Sequence, residues 1–270
     1  QYIVPYDPYA QDLNNALQAP SGSHLLGTDR YGRDLLTRII VGAQTTIFSA
    51  LALVAGITII GTIVGIICGY VGGWIDSLLM RISDIFLAFP EMVFAIAIAG
   101  VLNGGIWSAA IAVGLIAWPR YARVARSQVL SMKNHQYMNA AKLTGTPWYK
   151  MIVKHIMPNI MGPIIVTAAL DIGAMIMNLA GLSYLGLGVV PPTPEWGSMM
   201  SEGRSMLQTS PWIVLAPGLA IFITVVIFNL LGDTVRDILD PKQKRRSITS
   251  NMKKVKNIVS GDSKREKSLV

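Results

Sequence analysis

Thr45-Thr-Ile-Phe-Ser-Ala-Leu-Ala-Leu-Val-Ala-Gly-Ile-Thr-Ile-Ile-Gly-Thr-Ile-Val-Gly-Ile-Ile-Cys-Gly-Tyr70 carries no Asp, Glu, Lys or Arg. A bilayer-spanning helix needs about 20 mainly apolar residues, and this run is long enough. It lies inside a wider charge-free interval from Arg38 to Asp76, and similar intervals separate Glu91 from Arg120, Asp171 from Glu195, and Arg204 from Asp233. The 270 residues are 52% apolar and 14% charged, with mean hydropathy +0.47. Soluble domains average roughly 25% charged residues. The pattern excludes a water-soluble domain and predicts an all-α, polytopic transmembrane bundle.

Five spans are expected: Thr45–Tyr70, ended by Gly72-Gly73; Ile82–Leu102, ended by Asn103-Gly104-Gly105; Ile106–Val124; Ile160–Leu185; and Pro211–Leu231. Gly56, Gly61, Gly65 and Gly69 recur at spacings of four or five. Small residues so placed let neighbouring helices approach closely. Glu91 follows Pro90, where a kink is expected, and Asn103, Asn178 and Asn229 are suited to bridging helices.

Orientation follows from the basic residues. Residues 120–158 contain Arg120, Arg123, Arg126, Lys133, Lys142, Lys150 and Lys154 with no acid, and the tail 241–270 has ten basic residues against Asp262 and Glu266. The positive-inside rule places both in the cytoplasm. Two spans separate them, so the parity agrees. Residues 186–210 are then external, as is the segment 1–44, leaving 45–240 as the membrane domain. Such a topology leads to the expectation of a sixth span upstream of Gln1. The tail lacks apolar periodicity and reads as solvated and flexible, drawn to anionic lipid. Without interleaved aromatic residues its charge does not point to nucleic acid.

Most catalytic chemistries find no support. There is no G-x-x-x-x-G-K-[ST] phosphate loop. His24, His135 and His155 are scattered rather than at metal-ligand spacing, so neither a metal nor a cofactor site is expected, and no hydrolase triad can be built. Cys68 reads as a buried small hydrophobe. Asp171 is the one carboxylate well inside a predicted span. Ionisable residues at membrane depth mark ion pathways, so an ion-coupled secondary transporter using Asp171 is the alternative reading. A structural role is preferred, Asp171 being paired with a backbone or side-chain donor in the bundle or lying nearer an interface.

Residues 137–159, Tyr-Met-Asn-Ala-Ala-Lys-Leu-Thr-Gly-Thr-Pro-Trp-Tyr-Lys-Met-Ile-Val-Lys-His-Ile-Met-Pro-Asn, are the most informative. Asn139–Leu143 suits a short helix, Gly145 a turn, and Pro147 the start of a second helix. Trp148, Met151, Ile152 and His155 follow at helical spacing and make one face, and Pro158 is expected to end it. Two short amphipathic helices with exposed apolar groups form a knob suited to a protein groove, or alternatively to a lipid surface.

This stretch resembles the coupling loop of ABC importer permeases. The family pattern reads E-A-A, three residues, G, a spacer and L-P; Ala140, Ala141, Gly145 and Pro158 match it, while Asn139 replaces the Glu and Met157 the Leu. Three further segments are similar to permeases of the peptide/nickel kind, second or C type: His24–Arg38, Leu182–Gly188 with Pro191–Gly197, and Asn229–Pro241. The resemblance implies a type I importer permease fold in a cell membrane, forming half of a translocation pore. It implies a second homologous permease, two cytoplasmic ATP-binding subunits that hold ATP and Mg, and an external solute-binding protein. The cargo would be a peptide, nickel or a metal chelate. In the external segments, Asp29, Arg30, Arg33 and Asp34 are expected to pair locally, Gly186, Gly188 and Pro191–Pro194 to form a rigid turn, and Trp196 and Trp212 to anchor at the outer interface.

Overall fold

The computed structural model describes residues 4–239, so the basic tail 241–270 lies outside the described residues. Those residues form α1 (Leu35–Val71), α2 (Gly73–Ala88), α3 (Glu91–Val101), α4 (Ile106–Lys133), α5 (Gln136–Leu143), α6 (Trp148–Met151), α7 (Met157–Tyr184), α8 (Trp196–Gly203) and α9 (Trp212–Leu239). Among the described residues there is no strand, only one isolated bridge between Thr28 and Asp34.

Three helices are long and apolar enough to cross a membrane: α1, the continuous helix Trp148–Tyr184, and α9. The expected second span is broken. α2 and α3 meet at 96°, because Pro90 has no N–H and forces Phe89 into extended backbone (φ −94°, ψ 147°). The kink expected beside Glu91 is therefore a sharp corner. The expected third span is the first part of α4, a helix that continues through Arg120, Arg123 and Arg126 to Lys133. Those charges keep α4 below the apolarity of the other three helices; by length and composition three helices qualify as spans, or four if the bent pair is one span, so the expected count of five is not confirmed.

α1 begins at Leu35, well ahead of the apolar run, because Asp34 caps it: the carboxylate accepts from Thr37 N–H at 2.8 Å. At its far end α1 packs along α4, and the glycine spacing explains how. A Cβ on Gly61 would lie 2.5 Å from Tyr121 Cβ, on Gly65 2.3 Å from the Ala122 carbonyl oxygen, and on Gly69 2.7 Å from Val129 Cβ. The contacts advance together along both chains, so the two helices run parallel in near-backbone contact. Gly56 faces open space and takes no part. Ala50, Leu53 and Ile57 of α1 continue the core against Ala112, Val113 and Ile116 of α4 and Met175 and Ile176 of α7. α7 and α9 pack antiparallel, with Gly173 against Asn229 and Gly232 against the Ala169 carbonyl. Ile59, Ile60 and Ile63 of α1 and Phe222 and Leu230 of α9 stay exposed, as lipid- or partner-facing side chains do.

The segment before α1 folds over one end of the bundle. Asp29 accepts from Arg33 Nε at 2.6 Å, as local pairing predicts, but Arg33 also donates to Glu202 of α8 at 2.9 Å. Arg38 joins the same group, 3.6 Å from Asp29 and 3.7 Å from Glu202. Arg33 is 2% exposed and Arg38 1%, and Arg30 lies 3.7 Å from Glu202, so three arginines share two carboxylates in a largely buried cluster tying residues far apart in sequence. Asp34 also holds His24 Nδ1 at 2.9 Å. Trp196 is not an interfacial anchor. It is buried, its indole N–H donates to the Ile39 carbonyl at 2.9 Å, and a ring so paired has no need of the interface. Beside it Glu195 caps α8, accepting from Gly197 and Ser198 N–H at 2.9 and 2.8 Å. Burial pushes its carboxyl above the usual range despite those bonds.

Candidate functional site

The knob is built from residues 136–158. α5 ends in a Schellman turn: Gly145, at φ +73°, donates to the Lys142 carbonyl and Thr146 donates to the Ala141 carbonyl. Gly145 thus supplies the expected reversal, and Pro147 precedes α6 as expected. The second helix, however, is not a separate one. α6 passes through a π-turn at Ile152–Ile156 directly into α7. Met157 N–H donates to the Ile152 carbonyl, five residues back. That widened turn sits directly before Pro158, whose ring would otherwise collide with the carbonyl of Lys154, and Pro158 falls in the first turn of α7. Pro158 therefore does not end the helix.

The face expected from Trp148, Met151, Ile152 and His155 divides in two. Met151 is fully buried, with Met138 and Ile156, against Ile66, Val129 and Met132 of the bundle. Ile152 and His155 are half-buried, and His155 lies 6.4 Å from the Tyr137 ring. The outward apolar surface is instead Leu143 (89% exposed), Trp148 (65%), Tyr149 and Val153. Asn139, Ala140, Gly145 and Pro158 are exposed and Ala141 is half-buried. Sequence spacing identified the helix but assigned its faces too broadly. The missed signal is Met138, whose burial beside Met151 fixes which side of α6 turns inward.

A second polar constellation lies along α4. Arg120 Nη1 donates to Asp171 of α7 at 2.7 Å, and Arg123 to Asp84 of α2 at 2.5 Å. Arg126 grips Asp76 of α2 with two bonds, at 2.5 and 2.7 Å. Asp171 is therefore a paired carboxylate, as the structural reading of the sequence preferred, and its partner removes the support for a free ion-coupling site. Glu91, at the corner of the broken helix, accepts from Asn178 of α7 at 2.8 Å, which realises one of the expected Asn bridges.

Comparison with known proteins decides the family. Residues 61–245 match the family described as the binding-protein-dependent transport system inner membrane component. The chain belongs to this family. Among its relatives, the dipeptide transport system permease protein DppC of Alkalihalophilus pseudofirmus is 45% identical over 243 residues, covering 90% of this chain and 80% of that one. The nickel transport system permease protein NikC of Escherichia coli is 39% identical over 241 residues, covering 89% and 87%. A chain of the inward-facing MetNI methionine ABC transporter superposes with TM-score 0.55 at 15% identity, covering 75% of this chain and 96% of that one. At that identity the likeness speaks for the fold. As a binding-protein-dependent permease, the chain is an importer subunit of the membrane, and the ion-coupled alternative is not favoured.

Proposed function

We propose that this chain forms half of the solute pathway of an ATP-driven importer for peptides or for nickel or a metal chelate. A second, homologous permease completes the pathway, two cytoplasmic ATPases bind ATP and Mg and perform the hydrolysis, and an external binding protein delivers solute. The names of the dipeptide and nickel relatives support this cargo range. The knob and the chain's C-terminus lie in the cytoplasm, a reading supported by the basic residues of 120–158 and of the tail.

The observation that carries the proposal is the continuity of the knob with α7. Trp148–Tyr184 is one helix of 37 residues, about 55 Å at 1.5 Å per residue. A force applied to Trp148 by an ATPase groove is delivered along that helix to the bundle. Leu143, Trp148, Tyr149 and Val153 offer the groove an apolar surface, while Met138 and Met151 root the knob. Asn139, Ala140, Ala141, Gly145, Ile152, His155 and Pro158 shape that surface.

The test is purification of the assembled complex through a tag on this chain, with hydrolysis and uptake measured on one sample. A second permease and two Walker-A proteins should co-purify. Trp148→Ala with Leu143→Ala should weaken ATPase docking by about 30-fold, the loss of a 2 kcal/mol anchor, and uncouple hydrolysis from uptake. A properly assembled double variant that still transports in step with hydrolysis refutes the coupling role, and recovery of this chain alone refutes the importer.

A further inference from the structure

The corner between α2 and α3 is exposed at Leu87 and Phe89 and turns at Pro90 into α3. A cavity of about 190 Å³ opens there, lined by Phe86, Phe89, Glu91, Ile116, Arg120 and Asp171 among others. One water occupies about 30 Å³ of liquid, so the space suits a small solute rather than a single ion.

The polar groups around this cavity have opposite signs. Arg120 uses Nη1 for Asp171, and its half-exposed side chain keeps other guanidinium donors available. Beside it lies the N-terminus of α3, which has no side-chain cap and carries Glu91 in its first turn, so its first N–H groups are free to donate to a solute. Broken membrane helices present such ends to carboxylates. Glu91 uses Oε1 for Asn178, leaving its second oxygen to accept from a cation. Asp171 is neutralised by Arg120. A simple cation would meet the guanidinium and the helix end, and a simple anion would meet Glu91. A solute carrying both charges satisfies both, with Phe86, Phe89 and Ile116 accepting its hydrocarbon.

We propose that this cavity is a transit site for small zwitterionic solutes, of the amino-acid or dipeptide class, binding the carboxylate at Arg120 and the α3 N-terminus and the ammonium at Glu91. It rests on the reading that this chain lines a solute pathway, and it selects peptide-like over metal cargo.

The test uses the whole importer in detergent, without its binding protein, so that any selectivity belongs to the membrane subunits. Cys68 is replaced by Ala, and Leu87, which lines the cavity, by Cys. Maleimide labelling of Leu87→Cys is timed with alanyl-alanine, its N-acetyl form, its amide and the doubly blocked peptide. Val101→Cys, at an exposed position outside the cavity, reports any general conformational effect. Alanyl-alanine should slow labelling at position 87 but not at 101; each singly blocked form should need about tenfold more peptide, the loss of one charge-assisted bond, and the doubly blocked form about a hundredfold more. Glu91→Gln, which keeps the bond to Asn178, and the charge-conserving pair Arg120→Gln with Asp171→Asn should each raise the half-protecting concentration of alanyl-alanine by about tenfold. Equal protection by the doubly blocked peptide, or none by alanyl-alanine at tens of millimolar, overturns the site. ATP hydrolysis on the same sample separates the two readings: an active ATPase without protection refutes this site alone, and a sample lacking ATPase subunits refutes the importer while the labelling still decides the site.

Discussion

Replacing Gly65 with Ala should pry α1 from α4. The new Cβ would lie 2.3 Å from the Ala122 carbonyl oxygen, 2.6 Å from Ala125 Cβ and 2.9 Å from Arg126 N. Two of these three atoms are backbone, so rotamer changes cannot relieve them. Ordinary contact begins near 3.5 Å, so the helices must separate by about 1 Å along the seam that Gly61 and Gly69 share. A gap of that size forfeits a quarter to a half of each dispersion contact, and overpacking of this kind costs about 1–3 kcal/mol. The rigid neighbours put Gly65→Ala near 3 kcal/mol. Gly56→Ala is the internal control. It lies in the same helix but meets nothing within 4 Å, and Ala gains up to about 1 kcal/mol of helix propensity over Gly. Both variants are melted in the same detergent, with monodispersity followed by size-exclusion chromatography. Gly65→Ala should melt about 5–10 °C below wild type, and Gly56→Ala at or slightly above it. Equal shifts for the two, or an unchanged Gly65→Ala, would refute the close-packed seam.

Other consequences are open to the same melting assay. Glu202→Ala leaves Arg33 and Arg38, both buried, with Asp29 alone, and should cost about 3–5 kcal/mol; Asp84→Ala, removing the exposed partner of Arg123, should cost about 1 kcal/mol or less. A result in which the two cost the same would mean that burial does not set the worth of these pairs. Glu195 makes a pH prediction. Its folded carboxyl is held above the usual 4.5 by burial, so the folded state keeps a proton that the unfolded state releases. Stability from this group is full below 4.5 and is lost as pH rises through the raised folded value. Wild type should therefore gain on Glu195→Gln as pH falls from 7 toward 4.5, and a pH-independent difference between them would contradict the assignment.

Charge-free intervals revealed the membrane helices because lipid imposes that pattern residue by residue. The same test found the start of α4 but not its length, since a helix can carry three arginines if neighbouring helices supply acids, and pairing across 39–51 residues of sequence leaves no local trace. Pro90 was readable as a kink because its missing N–H acts on the residue beside it. Pro158 was misread because its effect depends on whether the preceding turn can widen, which the π-turn does. Gly145 was legible through its turn chemistry. The outward face of the knob was not, because burial of Met138 and Met151 is decided by Ile66 and Val129 in other helices. Trp196 misled for the same reason: its burial depends on the Ile39 carbonyl, far away in the chain.

The two ways in which α4 is held divide the bundle into fixed and exchangeable contacts. Against α1 the contact is close packing through Gly61, Gly65 and Gly69. Such packing has no intermediate: a separation of 1 Å already gives up much of its dispersion energy. Against α2 and α7 the bonds between side chains are ion pairs, and the Arg120 and Arg123 sides are about half exposed. The Arg123–Asp84 pair, exposed on both sides, is worth about 1 kcal/mol or less, whereas Asp171 and Asp76 are largely buried and their pairs hold more firmly. Rocking of this bundle should therefore keep α1 and α4 together and part more readily at α2 than at α7, whose Met175 and Ile176 share the buried core with α1 and α4. The knob is continuous with α7, so a pull on it runs past Ile160 and Ile164, which pack with Ala125 and Val129 of α4, to the Arg120–Asp171 pair. That pair borders the cavity beside Glu91, so the ion pair, the broken helix and the lever helix meet at one cavity.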